Sequence, residues 1–148
     1  MPPSDGPTPE TYHRGRNTRW GVGAVVVLGV VWACVRWRPS RVAIEGGSMA
    51  PTLAPGDYAL AVPLRHPEVG DVVVVEHPDR PGYEMVKRIT GAPGQRVGER
   101  TLEPGEWWVE GDFADASTDS RTFGPVSHQA LKATVVLIYW PRERRRRI

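Results

Sequence analysis

A serine hydroxyl attacks a carbonyl only when a base stands within hydrogen-bond reach. One serine of this chain sits in a frame suited to such work: Glu45-Gly46-Gly47-Ser48-Met49-Ala50-Pro51-Thr52-Leu53. Gly46 and Gly47 clear side chains from around the hydroxyl, so a substrate backbone can come close, and they permit backbone angles that other residues resist. Pro51 lacks an N–H and disfavours helix at Ala50, which puts Ser48 on a turn or an extended segment. Alone, the stretch reads equally as a Gly/Pro turn between two strands. Four histidines could supply a base. His13 is near the N-terminus, His66 and His77 lie in Pro-flanked turns, and His128 stands beyond the last motif; none has an evident orienting carboxylate. Lys87, in Glu84-Met85-Val86-Lys87-Arg88-Ile89-Thr90, is the better candidate. On a strand, Met85 and Ile89 share its face. Apolar neighbours desolvate the amine, disfavour its charged form and lower its pKa. A neutral amine can take the Ser48 proton and return it to a leaving amine. A lysine in an arbitrary strand is more often a solvated one, so the weight on Lys87 comes from its flanking motifs.

A third stretch lies downstream: Gly111-Asp112-Phe113-Ala114-Asp115-Ala116-Ser117-Thr118-Asp119-Ser120-Arg121, with Gly124-Pro125-Val126 close behind. These three motifs, in this order, resemble the type I signal peptidase family of membrane-bound Ser/Lys proteases, over about residues 42 to 140. Trp107-Trp108-Val109-Glu110-Gly111-Asp112 and Tyr139-Trp140-Pro141 resemble its small branch, which includes the nickel-type superoxide dismutase maturation proteases. The resemblance implies Ser48 as nucleophile and Lys87 as general base. It implies that the Ser117 hydroxyl aims the lysine amine, that Asp119 and Arg121 form an ion pair beneath the site, and that Gly46 and Met49 support the nucleophile. Two positions depart from the pattern. Phe113 stands where the family often has Asn, and Gly46 falls where some relatives place a serine hydroxyl in the oxyanion hole. The hole must then rest on backbone N–H groups, that of Ser48 and a neighbour, which serve because what matters is prearranged dipoles. Read without the family, the third stretch is an Asp/Ser loop capped by its own side chains. Asp112, Asp115 and Asp119 lack the alternating spacing of a calcium loop, so neither a metal nor a cofactor is expected.

Those residues need a scaffold. From Val42 onward short β-branched runs alternate with Pro, Gly and Asp clusters, and strands are expected at Val42–Glu45, Tyr58–Val62, Asp71–His77, Glu84–Thr90, Trp107–Glu110 and Lys132–Tyr139. Turns are expected at Pro55-Gly56-Asp57, Glu68-Val69-Gly70-Asp71, Pro78-Asp79-Arg80-Pro81-Gly82 and Pro93-Gly94. The run Asp71-Val72-Val73-Val74-Val75 reads as a central strand buried on both faces. The fold class is mainly β: a small, closed or nearly closed antiparallel barrel, preceded by one transmembrane helix. Larger relatives insert a second domain between the second and third motifs; the 23 residues between Lys87 and Gly111 leave room only for a hairpin.

Four segments are expected: a disordered basic tail over residues 1–18, a transmembrane helix over 19–37, the peptidase domain over 42–140 and a basic C-terminal tail over 141–148. Trp20 to Trp37 carries no charge until Arg36, and as a helix it would span roughly 27 Å at about 1.5 Å per residue. The tryptophans would sit at the two interfaces. No small-x-small site follows the apolar core, which argues against a cleaved signal peptide. Arg14, Arg16 and Arg19 precede the span and Arg36, Arg38 and Arg41 follow it, so charge does not orient it. The resemblance implies a cell-membrane protein, single-pass, with its catalytic domain on the extracytoplasmic side. Basic clusters beside an apolar segment point to anionic lipid headgroups and not to nucleic acid. Cys34 is the only cysteine, which excludes an intrachain disulfide. The expected partners are the bilayer and a protein or peptide with an N-terminal leader, cut after small residues in the Ala-x-Ala style, or the N-terminal extension of a nickel superoxide dismutase. Other readings are weaker. An α/β-hydrolase needs a helix directly after its Gly-x-Ser-x-Gly serine, which Pro51 and Pro55 oppose. A self-cleaving Ser/Lys repressor needs a helix-turn-helix. A catalytically inactive, membrane-anchored β-domain that binds partners gains if Ser48, Lys87 and Ser117 fail to converge.

Overall fold

The computed structural model describes residues 39–148 and, ahead of them, Gly29. The expected tail over 1–18 lies outside the described residues, as does the expected span over 19–37 apart from Gly29. Among the described residues no helix is long and apolar enough to cross a membrane.

The strands are β1 (Ser40–Ala43), β2 (Tyr58–Pro63), β3 (Val72–Glu76), β4 (Glu84–Gly91), β5 (Arg96–Val97), β6 (Arg100–Thr101), β7 (Glu106–Glu110), β8 (Val126–Ser127), β9 (Leu131–Trp140) and β10 (Arg146–Arg147). A short helix, α1, spans Ser120–Phe123. One antiparallel sheet runs in the order β1-β2-β9-β3-β4-β7-β8, with β10 paired to β9, and β5 and β6 form the hairpin between the second and third motifs. The six strands expected from the sequence appear as β1, β2, β3, β4, β7 and β9, with ends displaced by a residue or two. The turns at Gly56 and Gly70 hold those glycines at φ 90° and 104°, where an L side chain would be strained.

The barrel does not close. β1 and β8, at the two ends of the strand order, do not pair with each other, so the expected barrel is corrected to an open sheet. Strand spacing counts strands but does not tell whether the end ones meet. β8 is two residues long and uses them on β7, through Glu106↔Ser127 and Trp107↔Val126.

β3 carries the core. Its four valines are all buried between β9 and β4, and its period of two sends them to opposite faces. Val72 and Val74 join Ile44, Met49, Leu53, Ala59, Ala61, Val135 and Ile138. Val73 and Val75 join Ile89, Trp107, Val109, Val126 and Leu131. Burying each of the larger aliphatic side chains there contributes about 1.5–3 kcal/mol, and the first cluster thereby anchors the stretch around Ser48. Residues 141–148, a basic tail by sequence, are built into the sheet. After a tight turn at Arg142–Arg144, β10 folds back along β9 with Arg146↔Ile138 and Arg147↔Leu137, and Ile148 packs on the first cluster.

Candidate active site

The stretch around Ser48 is a pair of tight turns. The Ala50 N–H donates to the Gly47 carbonyl (3.0 Å) and the Leu53 N–H to the Met49 carbonyl (2.8 Å). Met49 and Leu53 are buried in the first cluster, at 2% and 0% exposure, so the turns are pinned to the core while Ser48 stays half-buried. Of the two reasons expected for Gly46 and Gly47, the structure supports one. Neither has a positive φ, so special backbone angles are not what they supply. A Cβ on either would meet nothing within 4 Å. What glycine gives here is empty space on the approach to Ser48.

Lys87 lies on β4, opposite Val73 in the β3 ladder, and is only 3% exposed. Ile89 on the same side of the strand is buried and Met85 half-buried, as the alternation requires. The Lys87 Nζ stands 3.0 Å from the Ser48 Oγ and 3.0 Å from the Ser117 Oγ. Ser48, Lys87 and Ser117 therefore do converge. The Ser117 hydroxyl donates its proton to Asp119 Oδ2 at 2.6 Å, so towards Lys87 it can only accept. A neutral Lys87 thus spends an N–H on Ser117 and is free to turn its lone pair to the Ser48 hydroxyl. Burial pushes the Lys87 pKa below the usual lysine value; the Asp119 carboxylate works against that shift and the Arg121 guanidinium adds to it.

Asp119 is fully buried and saturated with donors. It accepts from the Gly111 N–H (2.9 Å), the Ser117 hydroxyl, the Arg121 N–H (3.1 Å) and the Arg121 guanidinium, through Nε at 2.9 Å and through Nη2. Burial opposes its charge, but the Arg121 guanidinium and these hydrogen bonds hold the carboxyl well below the usual carboxylate range. Asp119 is also the N-cap of α1, so capping and support of the site are done by one side chain. Ser120 ties the helix to β7 by accepting the Val109 N–H at 2.9 Å. Gly111 is glycine because there is no room for more. A Cβ there would overlap the Ser117 hydroxyl and come within 2.5 Å of the Ser48 carbonyl oxygen. Phe113, the departure from the family pattern, leaves its ring 47% exposed, and its backbone N–H donates to the Ser48 carbonyl at 2.9 Å.

Arg88, Asp112 and Thr52, absent from the sequence-based site, join it. Arg88 grips Asp112 through two bonds, Nε to Oδ1 at 2.8 Å and Nη2 to Oδ2 at 2.7 Å, and donates to the Gly70 carbonyl (2.7 Å) and to the Thr52 hydroxyl (3.3 Å). It thus links all three motifs. The Arg88 guanidinium holds the Asp112 carboxyl below its ordinary value. The sequence carried a signal: Arg88 adjoins Lys87, and Asp112 is an acid inside the third motif. Among the described residues no histidine hydrogen-bonds the Ser48 hydroxyl, although His77 lines the cleft beside Ser48. His77 accepts the Asp79 N–H at its Nδ1 and lies tilted against the Phe123 ring, and His128 lies against Trp107; His13 is outside the described residues. Among the described residues no cluster of three or more His, Cys, Asp or Glu could hold a metal ion.

The convergence opens into a cleft of about 600 Å3 between the 41–49 stretch on one wall and residues 83–87 on the other. Both walls present unpaired strand edges. Among the described residues β1 has a partner only in β2, and β7 reaches only from Arg88 to Gly91 of β4, leaving Glu84 to Lys87 open on that side. Unpaired edges are templates for a further strand.

The family described as signal peptidase, peptidase S26, matches this chain over residues 17–100 and 97–140. The chain is 34% identical to the mitochondrial inner membrane protease subunit 1 of Xenopus tropicalis, with 82% of each chain covered. It is 38% identical to the mitochondrial ATP-independent inner membrane protease subunit 1a of Arabidopsis thaliana, over 73% of this chain and 74% of the relative. It is 36% identical to the mitochondrial inner membrane protease subunit 2 of Mus musculus, over 71% and 69%.

Proposed function

The chain belongs to the signal peptidase family, peptidase S26, and from that premise we propose that it is a membrane-anchored serine endopeptidase that removes N-terminal leader segments by means of a Ser48–Lys87 dyad. The observation that carries the reading is the position of the Lys87 amine, 3.0 Å from both the Ser48 and Ser117 hydroxyls and shielded from water. A substrate in extended form adds as a strand to the free edges lining the cleft, which sets its scissile carbonyl beside Ser48. The neutral Lys87 takes the Ser48 proton as Oγ attacks. Among the described residues the Ser48 N–H has no acceptor, so it can meet the oxyanion; one such donor is worth about 2.7–4 kcal/mol in known cases. Lys87, now an ammonium, protonates the leaving amine as the peptide bond breaks and an ester forms on Ser48. A water molecule, deprotonated by Lys87, then releases the leader's carboxylate and restores the hydroxyl. Asp119 and Arg121 hold Ser117, and Ser117 holds the amine.

The relatives are named for the mitochondrial inner membrane, and the apolar span over residues 19–37 supports a single-pass anchor. Such an anchor keeps the site at a bilayer, where leader segments end, with the catalytic domain on the extracytoplasmic side. The test is to incubate purified full-length protein in detergent with a leader-bearing reporter and to read the new N-terminus by mass spectrometry. One cut after a small residue, absent from Ser48→Ala, is expected; an equal yield from Ser48→Ala overturns the proposal. Mass spectrometry of cells with and without the chain separates a general leader peptidase, which changes many N-termini, from a protease dedicated to one substrate such as a nickel superoxide dismutase. Carbonate extraction checks the anchor: protein that washes off the membrane is not anchored.

A further inference from the structure

The side of the Ser48 turns away from Lys87 is held by residues from the far end of the chain. Asp57, 1% exposed, receives Arg144 through two bonds, Nε to Oδ1 at 2.8 Å and Nη2 to Oδ2 at 3.0 Å. Asp57 Oδ2 also accepts the Ala54 N–H at 2.9 Å, and the Asp57 carbonyl accepts the Ile44 N–H at 2.9 Å, so this residue ties both ends of the 44–57 segment that carries Ser48. Arg144 Nη2 continues to the Pro51 carbonyl at 3.3 Å. Arg146 Nη2 donates to the Thr52 carbonyl at 2.7 Å and to the Pro51 carbonyl at 3.4 Å. The two arginines are set in place by the turn after Pro141 and by the pairing of β10 with β9. They touch neither Ser48, Lys87 nor Ser117.

We propose that the C-terminal arm, residues 141–148, is a positioning element of the active site: through Arg144 and Arg146 it fixes the turns that set Ser48 Oγ against Lys87 Nζ. The physical need is plain. Two tight turns with Pro51 between them expose carbonyl oxygens that no strand partner satisfies, and guanidinium groups satisfy several at once with fixed geometry. A displacement of about 1 Å at a reacting atom can cost on the order of a hundredfold in rate, so a turn that drifts loses turnover before it loses structure. The basic character of the last residues is then partly internal: Arg144 and Arg146 face the fold, whereas Arg142, Arg145 and Arg147 make no such contact with these turns. The inference rests on the Ser48–Lys87 reading, but one arm of its test does not.

The experiment uses the full-length protein in detergent, with steady-state cleavage of a leader-bearing peptide and amide hydrogen exchange in parallel. Arg146→Ala is expected to lower kcat about three- to tenfold and Arg144→Ala about ten- to a hundredfold, both with KM near the parent's, because geometry and not binding is lost. Arg146→Lys keeps one donor for the Thr52 carbonyl and should restore most of kcat. Arg147→Ala removes a neighbouring charge and should behave as the parent. The amides of Leu53 and Ala54 should exchange faster in Arg146→Ala. Parent kcat in both alanine variants overturns the inference, as does a loss that lysine fails to rescue. Arg144→Ala strands a buried carboxylate and can fail to fold; Arg146→Ala, whose acceptors are carbonyls, then carries the test. A parent that cleaves nothing overturns the peptidase reading, and the exchange arm still decides the clamp: unchanged protection of Leu53 and Ala54 in Arg146→Ala removes it.

Discussion

Asp119 and Asp57 are the two buried carboxylates of the described fold, at 0% and 1% exposure, and each is gripped by a single arginine. Their construction differs in every other respect. Asp119 takes its arginine from two residues away, within one loop, and its remaining valence goes to Ser117 and Gly111, next to the reacting groups. Asp57 takes its arginine from 87 residues away and spends the rest on the backbone of a turn. The same pair of functional groups therefore serves two ends. Near Lys87 a carboxylate would favour the ammonium form, and Arg121 offsets that pull while the carboxylate still orders Ser117. Behind Ser48 no proton is at stake, and the pair only fixes a location. One site tunes a charge and the other tunes a position.

The largest effect that probes this contrast is at the amine itself. Lys87→Met should have no activity at any pH in the reporter assay, yet unfold in denaturant at neutral pH no more easily than the parent. The sign follows from the depressed Lys87 pKa. The unfolded lysine holds its proton up to about pH 10.4. Below its native pKa the folded chain also carries a buried ammonium at full penalty, and the penalty falls as pH rises from the native to the unfolded value. An active Lys87→Met protein would leave the dyad without its base. Ser117→Ala comes next. Losing one orienting hydrogen bond, about 1–3 kcal/mol, should lower kcat roughly ten- to a hundredfold with little change in KM, and parent-like kcat would free Ser117 from the site. Arg121→Ala should act through titration. With Asp119 uncompensated, the Lys87 pKa rises, so the acidic limb of the pH–rate profile should move to higher pH. Arg144→Ala should lower the plateau and leave the limb in place. A limb that moves equally in both variants would erase the distinction between the two aspartates. The smallest effect is in acid. Both carboxyls lie below their ordinary values, so their contribution is complete above about pH 3.9 and is lost as pH falls through the native values. Acid unfolding followed by circular dichroism should be shallower in Asp57→Asn than in the parent, and an unchanged slope would mean that Asp57 contributes nothing there.

The contrast also explains what could be read from the sequence. The strands were legible because their signal is local: four valines in a row at 72–75 can hardly be solvated, and alternation placed Lys87 beside Ile89 without knowledge of the partners. The pairing of Asp119 with Arg121 was legible only through the family resemblance, since the stretch by itself reads as a loop capped by its own side chains. Arg88 and Asp112 were half legible, since each adjoins a residue of interest, but that they meet depends on the way β4 runs beside β7. Asp57 and Arg144 were opaque. Nothing near Pro55-Gly56-Asp57 distinguishes a turn aspartate in water from one sealed by the chain terminus, and the five arginines after Pro141 read as a tail because β10 is too short to show a period. The failure to close was opaque for the same reason, since closure is a relation between distant ends. For Gly46 and Gly47 the sequence offers both backbone freedom and lack of bulk, and the fold uses only the second.

Phe113 fixes the Ser48 carbonyl with an atom that every amino acid but one possesses. The side chain projects into solvent and the amide does the holding. In a saturation scan of this domain the position should accept almost any letter and reject proline alone, the one residue without that N–H. Here the constraint is written in the backbone, and no catalogue of side chains would reveal it.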